Sequence, residues 1–329
     1  MPPSSGPVRK TSLTRSKAIS ELPSSGPALE PPAARVGAIA SERSIGHLLL
    51  WMFGVLLSFT VMAVSIRALG KTLNVFEILG IRNIAGVLVL GTMAAVRPGL
   101  RLHLRFTWIR LHLLRNIVNF AAQVAWALGI TLLPFAMVFA LEFTTPAWVA
   151  CFAVVFLRER LTPSRVGVVA LGLAGVLVIT RPGVEGFQPA AFLVLGAAIG
   201  FAISAITTKK LTGTETTFAI LFWMNFIQLP LNLAGSDPLF GLKLGAADIL
   251  PALGVALSGL SSHLCLTNAF RHGDAMVVIP LDFFRLPLIA LIGWLFYAET
   301  LDPMVFAGAG LIIVGVLWNL RAAAREQTR

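Results

Sequence analysis

Residues 159–163 read Glu-Arg-Leu-Thr-Pro, and residues 299–303, which lie 140 positions later, read Glu-Thr-Leu-Asp-Pro. Twelve residues after each proline the chain reads Gly-Val-Leu, at Gly175 and again at Gly315. A match that recurs at a fixed offset indicates an internal duplication, and the sequence around it indicates how far each copy extends.

Further matches extend the duplication over most of the chain. They are residues 76–79 followed by Asn83 with residues 218–221 followed by Asn225, and Ala-Met-Val at 136–138 with Ala-Met-Val at 275–277, the last pair being one residue out of step. The chain is therefore interpreted as two halves, 46–181 and 187–321.

The composition is that of a membrane protein. Of the 329 residues, 57% are hydrophobic and only 12% are charged, and the mean hydropathy is +0.84. The apolar residues come in runs of about twenty, the length that crosses a bilayer as a helix. The predicted spans are 47–69, 75–96, 108–131, 133–156, 163–180, 188–208, 216–234, 249–269, 275–297 and 302–320.

These spans predict an all-α polytopic membrane protein with ten transmembrane helices, five in each half. Because five is odd, the second half must enter the membrane upside down relative to the first. Inverted five-helix repeats that meet at a midplane site are a construction of secondary transporters, although a duplicated bundle could also serve as a scaffold.

The net charge of +11 is explained by its placement. Basic residues concentrate in alternate loops and in the tails, a pattern that orients a membrane protein. It predicts that both termini are cytoplasmic and that the chain lies in the cell inner (plasma) membrane. The charge therefore gives no indication of a nucleic-acid partner. Residues 1–44 are rich in proline and serine and predict a disordered basic cytoplasmic tail, although the first twenty also resemble a transit peptide. Residues 322–329 are predicted to form the second cytoplasmic tail.

The chain resembles the drug/metabolite transporter (DMT) superfamily, in its EamA family. The resemblance rests on the two five-helix halves, on the repeated Glu-x-x-x-Pro element before a glycine-rich helix, and on the arginine in the second helix. The resemblance covers residues 46–321. It implies a carrier driven by protons or by exchange, often an exporter of amino acids or related metabolites. Some members import riboflavin or S-adenosylmethionine instead.

Two acids within the predicted spans are the first candidates for a site. The 140-residue offset places Glu142 over Asp282, near the axis that relates the two halves. Ionisable groups are costly in a bilayer, so a facing pair could bind an amine or take up a proton. Arg285, one turn from Asp282, could hold a cargo carboxylate or simply neutralise these acids. Both readings remain open.

Arg82 lies too deep in the second helix for its charge to reach the surface easily, and it matches the arginine of the family. A role in the cavity or in a gate is favoured over a pair with Glu77, since five residues is poor helical spacing. Several uncharged or titratable polar residues are predicted to line the same cavity or to form hydrogen bonds between helices. They are Asn119, Gln123, Trp126, Asn225, Gln228 and His263.

Absent motifs narrow the functional class. There is no phosphate-binding GxxxxGK[ST] loop, no HExxH motif and no Cys/His cluster, so we expect no enzyme activity, no cofactor and no metal. The leading hypothesis is a secondary exporter of amino acids or related metabolites, with a small-molecule substrate and the lipid bilayer as partners. An importer of a heterocyclic nutrient is the alternative, and a structural subunit a remote one. The sequence leaves open whether the chain works as a monomer or as a homodimer.

Overall fold

The computed structural model describes residues 32–101, 104, 108–157, 162–181, 188–211, 214–272, 278 and 281–327. The predicted N-terminal tail up to residue 31, the match at 159–161 and the match at 275–277 lie outside these residues. In the described residues the regular secondary structure is helical throughout.

Twelve α-helices follow one another in the described parts of the chain. They are α1 (Pro32–Leu69), α2 (Val75–Val96), α3 (Pro98–Arg101), α4 (Ile109–Leu132), α5 (Phe135–Glu142), α6 (Thr145–Leu157), α7 (Pro163–Thr180), α8 (Ala191–Leu211), α9 (Thr217–Ala234), α10 (Ala246–His272), α11 (Arg285–Tyr297) and α12 (Pro303–Gln327). A short 3-10 helix at Phe240–Lys243 precedes α10.

Two helix ends differ from the predicted tails. Helix α1 begins at Pro32, inside the segment 1–44 that the sequence predicts to be disordered, and α12 continues to Gln327. Proline is tolerated in the first turn of a helix, where its missing N–H would have no intrahelical partner, and the alanines that follow are strong helix formers.

Nine helical segments in the described residues are long and apolar enough to cross a bilayer. They correspond to the predicted spans except 275–297, in which residues 275–277, 279 and 280 lie outside the described residues. There the structure shows the apolar helix Arg285–Tyr297, which is shorter than the others. Large apolar side chains face outward on these helices, for example Leu88, Phe192 and Leu257, which are more than half exposed. Such surfaces suit lipid rather than water.

The predicted fourth span, 133–156, is not one continuous helix. It divides into α5 and α6 at a turn formed by residues 143 and 144. Pro146 lies in the first turn of α6 and cannot supply a backbone donor to the helix before it. The Thr144 and Thr145 hydroxyls instead donate to the carbonyls of Leu141 and Glu142, which caps the end of α5.

The second half contains the same interruption 140 residues later. Residues 281 and 282 are helical, residues 283 and 284 form a turn, and α11 begins at Arg285. The backbone N–H of Thr144 donates to Leu141 O over 3.1 Å, and that of Phe284 donates to Leu281 O over 3.2 Å. Glu142 and Asp282 are therefore the last helical residues before matching breaks.

Helices of the two halves pack against each other in pairs. Helix α7 packs most extensively on α12, α4 on α8, α2 on α9, and α5 on α11. Close approach of α7 and α12 depends on glycine, because a Cβ atom on Gly175 would lie 2.6 Å from Gly308 O. Small residues at such crossings allow helix backbones to approach within van der Waals contact.

Replacing Gly175 by alanine is expected to lower the midpoint of heat-induced unfolding in detergent, since overpacking a tight contact costs about 1–3 kcal/mol. Gly310→Ala on the partner helix is the matched control, because a Cβ there meets no atom within 4 Å. We expect the control to melt at or above the wild-type temperature. Equal melting of the two variants would contradict a close contact between α7 and α12.

A charged cluster fixes the start of α2 against the segment before α10. Glu77 is fully buried and accepts hydrogen bonds from the backbone N–H groups of Asn74 and Asp237. Lys243 Nζ lies 2.7 Å from Glu77 and 3.1 Å from Asp237. The hydrogen bond to Glu77, followed by that to Asp237, raises the pKa of Lys243. Glu77 is thereby neutralised by Lys243 and is not the partner of Arg82.

Candidate functional site

A cavity of about 320 Å³ lies beside the two helix breaks. This volume is at the lower end of the range for small-molecule sites, roughly 300–1,000 Å³. Eight of the ten residues singled out from the sequence line its wall, namely Arg82, Asn119, Gln123, Trp126, Glu142, His263, Asp282 and Arg285. They come from both halves of the chain.

Arg285 bridges the two acids. Its Nη2 donates to Asp282 Oδ2 over 2.6 Å, and its Nη1 lies 3.3 Å from Glu142 Oε1. Glu142 Oε2 accepts a further hydrogen bond of 2.8 Å from Trp126 Nε1. The guanidinium also lies over the Phe59 ring, 4.4 Å from its centroid. We call Glu142, Asp282 and Arg285 the acid–arginine cluster.

Among the residues that the structure describes, two polar atoms of this cluster have no hydrogen-bond partner. They are Asp282 Oδ1 and Arg285 Nε, both inaccessible to solvent. Buried polar atoms almost always find a partner, so a ligand or water is the expected one here. One atom is an acceptor and the other a donor, which suits a ligand group carrying both.

Arg82 is a buried cation on a different part of the wall. It is 7% exposed, and its Nη2 donates to Gln123 Oε1. No carboxylate among the described residues lies within 4.0 Å of its guanidinium. The alkyl part of the side chain packs so closely on Gly259 that a Cβ there would lie 2.4 Å from Arg82 Cγ. This packing and Gln123 hold the arginine in place.

An amide network continues from Arg82 away from the cavity. Gln123 donates to Asn119, and Gln228 Nε2 donates to the same oxygen of Asn119 over 3.0 Å. Gln228 therefore supports the wall without forming part of it. Asn225 does not line the cavity either, because its amide donates to Leu221 O and its side chain lies against Gly86.

The aromatic part of the wall was not predicted from the sequence. Phe59, Phe143, Phe201 and Phe283 line the cavity together with the predicted Trp126. Phe143 and Phe283 belong to the two matching turns and pack edge-to-face with their centroids 5.0 Å apart. A proline follows each turn within a few residues in the sequence. Because proline disfavours a helical conformation of the residue before it, these prolines were the sequence signal for the two turns.

A protein-family model described as the EamA-like transporter family matches residues 47–181 and 188–321. The riboflavin transporter of Rhizobium johnstonii is 32% identical over 66% of this chain and 72% of its own. The S-adenosylmethionine uptake transporter of Rickettsia felis is 25% identical, covering 66% and 74%. The pseudopaline exporter CntI of Pseudomonas aeruginosa is 26% identical, covering 81% and 94%.

One solved crystal structure aligns with a TM-score of 0.56 over 84% of this chain and 98% of its own length, at 18% identity. That likeness concerns the fold alone. The two matches to the family model cover nearly all of the chain beyond its tails. The chain therefore belongs to the EamA-like transporter family, part of the DMT superfamily, and is a multi-pass membrane transporter built from two repeats.

Proposed function

We propose that the chain is a secondary transporter that carries a small heterocyclic metabolite through the cavity by alternating access. The observation that carries this proposal is the position of the acid–arginine cluster, at matching breaks in the two repeats. Discontinuous helices at the meeting of two repeats are where secondary transporters hold cargo and coupling ions.

The proposed architecture has ten spanning helices in two inverted repeats. The ninth span, 275–297, would consist of α11 together with the helical residues before it, as α5 and α6 together form one span in the first repeat. The bias of Lys and Arg toward alternate loops supports cytoplasmic termini in the inner membrane. In this orientation the start of α5 and the end of α11 lie at the outer side.

The cavity chemistry supports a planar cargo with polar edges. Trp126, Phe59 and Phe201 line the cavity, and aromatic rings suit stacking with a heterocycle. Two arginines and two acids line the same wall, so the fixed charges balance and suit a neutral or zwitterionic molecule. The names of the relatives that carry riboflavin or S-adenosylmethionine, both of which contain a heterocycle, also favour a heterocyclic cargo.

Amino-acid export is the second candidate. The observation in its favour is that one cavity holds Arg82 and, in the acid–arginine cluster, a donor and an acceptor atom that have no partner in the described part of the chain. A zwitterionic amino acid could place its carboxylate at an arginine and its ammonium at an acid. The pseudopaline exporter among the relatives is an example of outward transport in the family.

The proposed coupling step is protonation of Glu142 or Asp282. Neutralising Glu142 removes the ion pair between the end of α5 and Arg285 of α11, and neutralising Asp282 removes the ion pair between Arg285 and the residue before the turn. Arg285 could then turn toward cargo, and α5 and α11 could shift relative to each other.

Counterflow in proteoliposomes tests the function. Vesicles are loaded with pooled metabolites, and labelled riboflavin, S-adenosylmethionine and amino acids are supplied outside in turn, with and without a pH gradient. Accumulation of a labelled heterocycle is expected. Accumulation of an amino acid alone would favour the second candidate. If the folded protein accumulates no label from any pool, both candidate functions are contradicted and a structural role is favoured.

Glu142→Gln and Asp282→Asn are expected to lose the pH dependence of this counterflow, because each removes a proton-binding group from the cluster. Asp302→Asn is the matched control, since Asp302 pairs with Arg181 at a partly exposed position away from the cavity. The control should keep the wild-type pH profile. Wild-type profiles in both cavity variants would rule out the proton-coupled mechanism.

A further inference from the structure

Arg67, near the end of α1, forms a second charged cluster at the end of the helices where α5 begins and α11 ends. Its Nη1 donates to Glu299, its Nη2 to Leu133 O, and its Nε to Ile130 O over 2.8 Å. The guanidinium lies on the Phe135 ring, 3.5 Å from the centroid. The guanidinium nitrogens thus bond the C-terminal end of α4 and a carboxylate in the segment after α11.

Glu299 and Tyr297 complete the closure. Glu299 Oε2 accepts a 2.9 Å hydrogen bond from Phe135 N, the first residue of α5. Tyr297 packs edge-to-face on Phe135 with centroids 5.2 Å apart, and its hydroxyl donates to Val64 O. We call Arg67, Phe135, Tyr297 and Glu299 the Arg67 cluster. It joins α1, α4, α5 and α11 at one point.

Helices α5 and α11 connect this cluster to the cavity. Helix α5 begins at Phe135 in the Arg67 cluster and ends at Glu142 in the acid–arginine cluster, about 10 Å away at 1.5 Å per residue. Helix α11 runs the other way, from Arg285 in the cavity to Tyr297. The two helices pack on each other. The two helices therefore form a direct physical connection between the two charged clusters.

The side chains of α5 that lie between the two clusters are all buried. In α5, Val138, Phe139 and Leu141 are fully buried, whereas Asp282 in the cavity keeps about a quarter of its side chain exposed, 23%. A carrier with its cargo site closed toward one side must open that closure once per cycle. The Arg67 cluster is held largely by polar and ionic contacts. Water can replace such contacts when they separate, so they can break and re-form more easily than tightly packed apolar contacts.

We propose that Arg67 and Glu299 are the gating residues on the side of the membrane where α5 begins, and that their ion pair must break each time the cavity opens to that side. This inference rests on the proposed function and assigns that side to the exterior. Arg67 and Glu299 then control access to the cavity without touching cargo themselves.

Reversible cross-linking tests the opening directly. Arg67→Cys and Glu299→Cys are combined in a chain in which Cys151 and Cys265 are replaced by alanine, and are joined by a short bifunctional methanethiosulfonate. Counterflow should fall roughly tenfold or more, a factor that corresponds to about 1.4 kcal/mol, and should return on reduction. Counterflow that continues after complete cross-linking would overturn the proposal.

The matched control joins Arg181→Cys to Asp302→Cys. These two residues also pair between the repeats, but α7 and α12, whose ends they connect, pack along their lengths and are expected to move together. The control should transport equally well before and after cross-linking. Equal inhibition of both cross-linked pairs would attribute the effect to general stiffening and would overturn the gate.

A second measurement does not require a known cargo or an active double variant. Met62 lines the cavity five residues before Arg67, so Met62→Cys reports access to the cavity. In intact cells, a membrane-impermeant maleimide should label Met62→Cys roughly tenfold faster when Glu299→Gln is added, a factor that corresponds to about 1.4 kcal/mol. The control substitution Asp302→Asn should leave the labelling rate unchanged. An unchanged rate with Glu299→Gln would overturn the gate. Faster labelling despite silent counterflow would support the gate while contradicting the proposed cargo.

Discussion

Replacing Arg285 by glutamine is expected to abolish transport and to destabilise the folded protein by about 3–5 kcal/mol, the cost of leaving buried charges without their partner. Arg285 is 4% exposed and is the cation that neutralises both Glu142 and Asp282. Without it, two acids would share a cavity wall within the membrane, and their repulsion would add to the desolvation cost. The measurements are heat-induced unfolding in detergent and counterflow in proteoliposomes.

A triple variant separates the structural role of Arg285 from its role in transport. Adding Glu142→Gln and Asp282→Asn to Arg285→Gln removes all three charges and replaces them with amides of similar shape. Neutral replacement of a buried ionic group is often tolerated, so the triple variant should recover much of the lost stability. It should still fail to transport. Recovery of both stability and transport would show that the cluster serves folding alone.

The acid–arginine cluster was predictable because charges inside apolar helices are few. Glu142 and Asp282 coincide at the 140-residue offset, and Arg285 follows one turn later. In a bilayer each such group requires a partner or a function, so the sequence alone singles it out. The sequence could not decide whether Arg285 faces the acids or cargo. The structure places it between the two acids.

The aromatic wall could not be predicted in the same way. The chain contains 22 phenylalanines, and an apolar side chain on a transmembrane helix is equally at home facing lipid, another helix or a cavity. Phe59 and Phe201 differ from the others only in their three-dimensional position. Asn225 illustrates the converse, since a polar residue in a helix can be satisfied by the carbonyl four residues earlier and need not face a cavity.

The helix breaks and the Arg67 cluster could be predicted from the sequence only in part. Pro146 signalled an interruption of the fourth span, but a hydropathy pattern of suitable length favoured one helix. Arg67 lies two residues from the end of α1, where a basic residue is ordinarily explained by snorkelling to the surface. Only the three-dimensional structure shows that its side chain turns inward, to carbonyls and Glu299.

Replacing Arg82 by glutamine is expected to raise the half-saturating cargo concentration by about tenfold to a hundredfold, the range for losing a charge-assisted hydrogen bond of about 1.5–3 kcal/mol. Arg82 faces the cavity, and in the described part of the chain its guanidinium has an amide partner and no acid. A desolvated cation without a counter-charge is costly in the empty carrier. Cargo with a carboxylate or carbonyl at this position would offset that cost.

Stability decides between cargo binding and a structural role for Arg82. If cargo supplies its missing partner, Arg82→Gln should unfold at or above the wild-type temperature, because the empty protein loses a buried charge and one hydrogen bond to Gln123. Arg115→Gln is the matched control. Arg115 is also buried on the inner face of a helix, but it bonds Thr208 and Asn116 and does not line the cavity. Its replacement should lower stability while leaving cargo affinity unchanged, and the same pattern in Arg82→Gln would mean that Arg82 holds helices together and does not bind cargo.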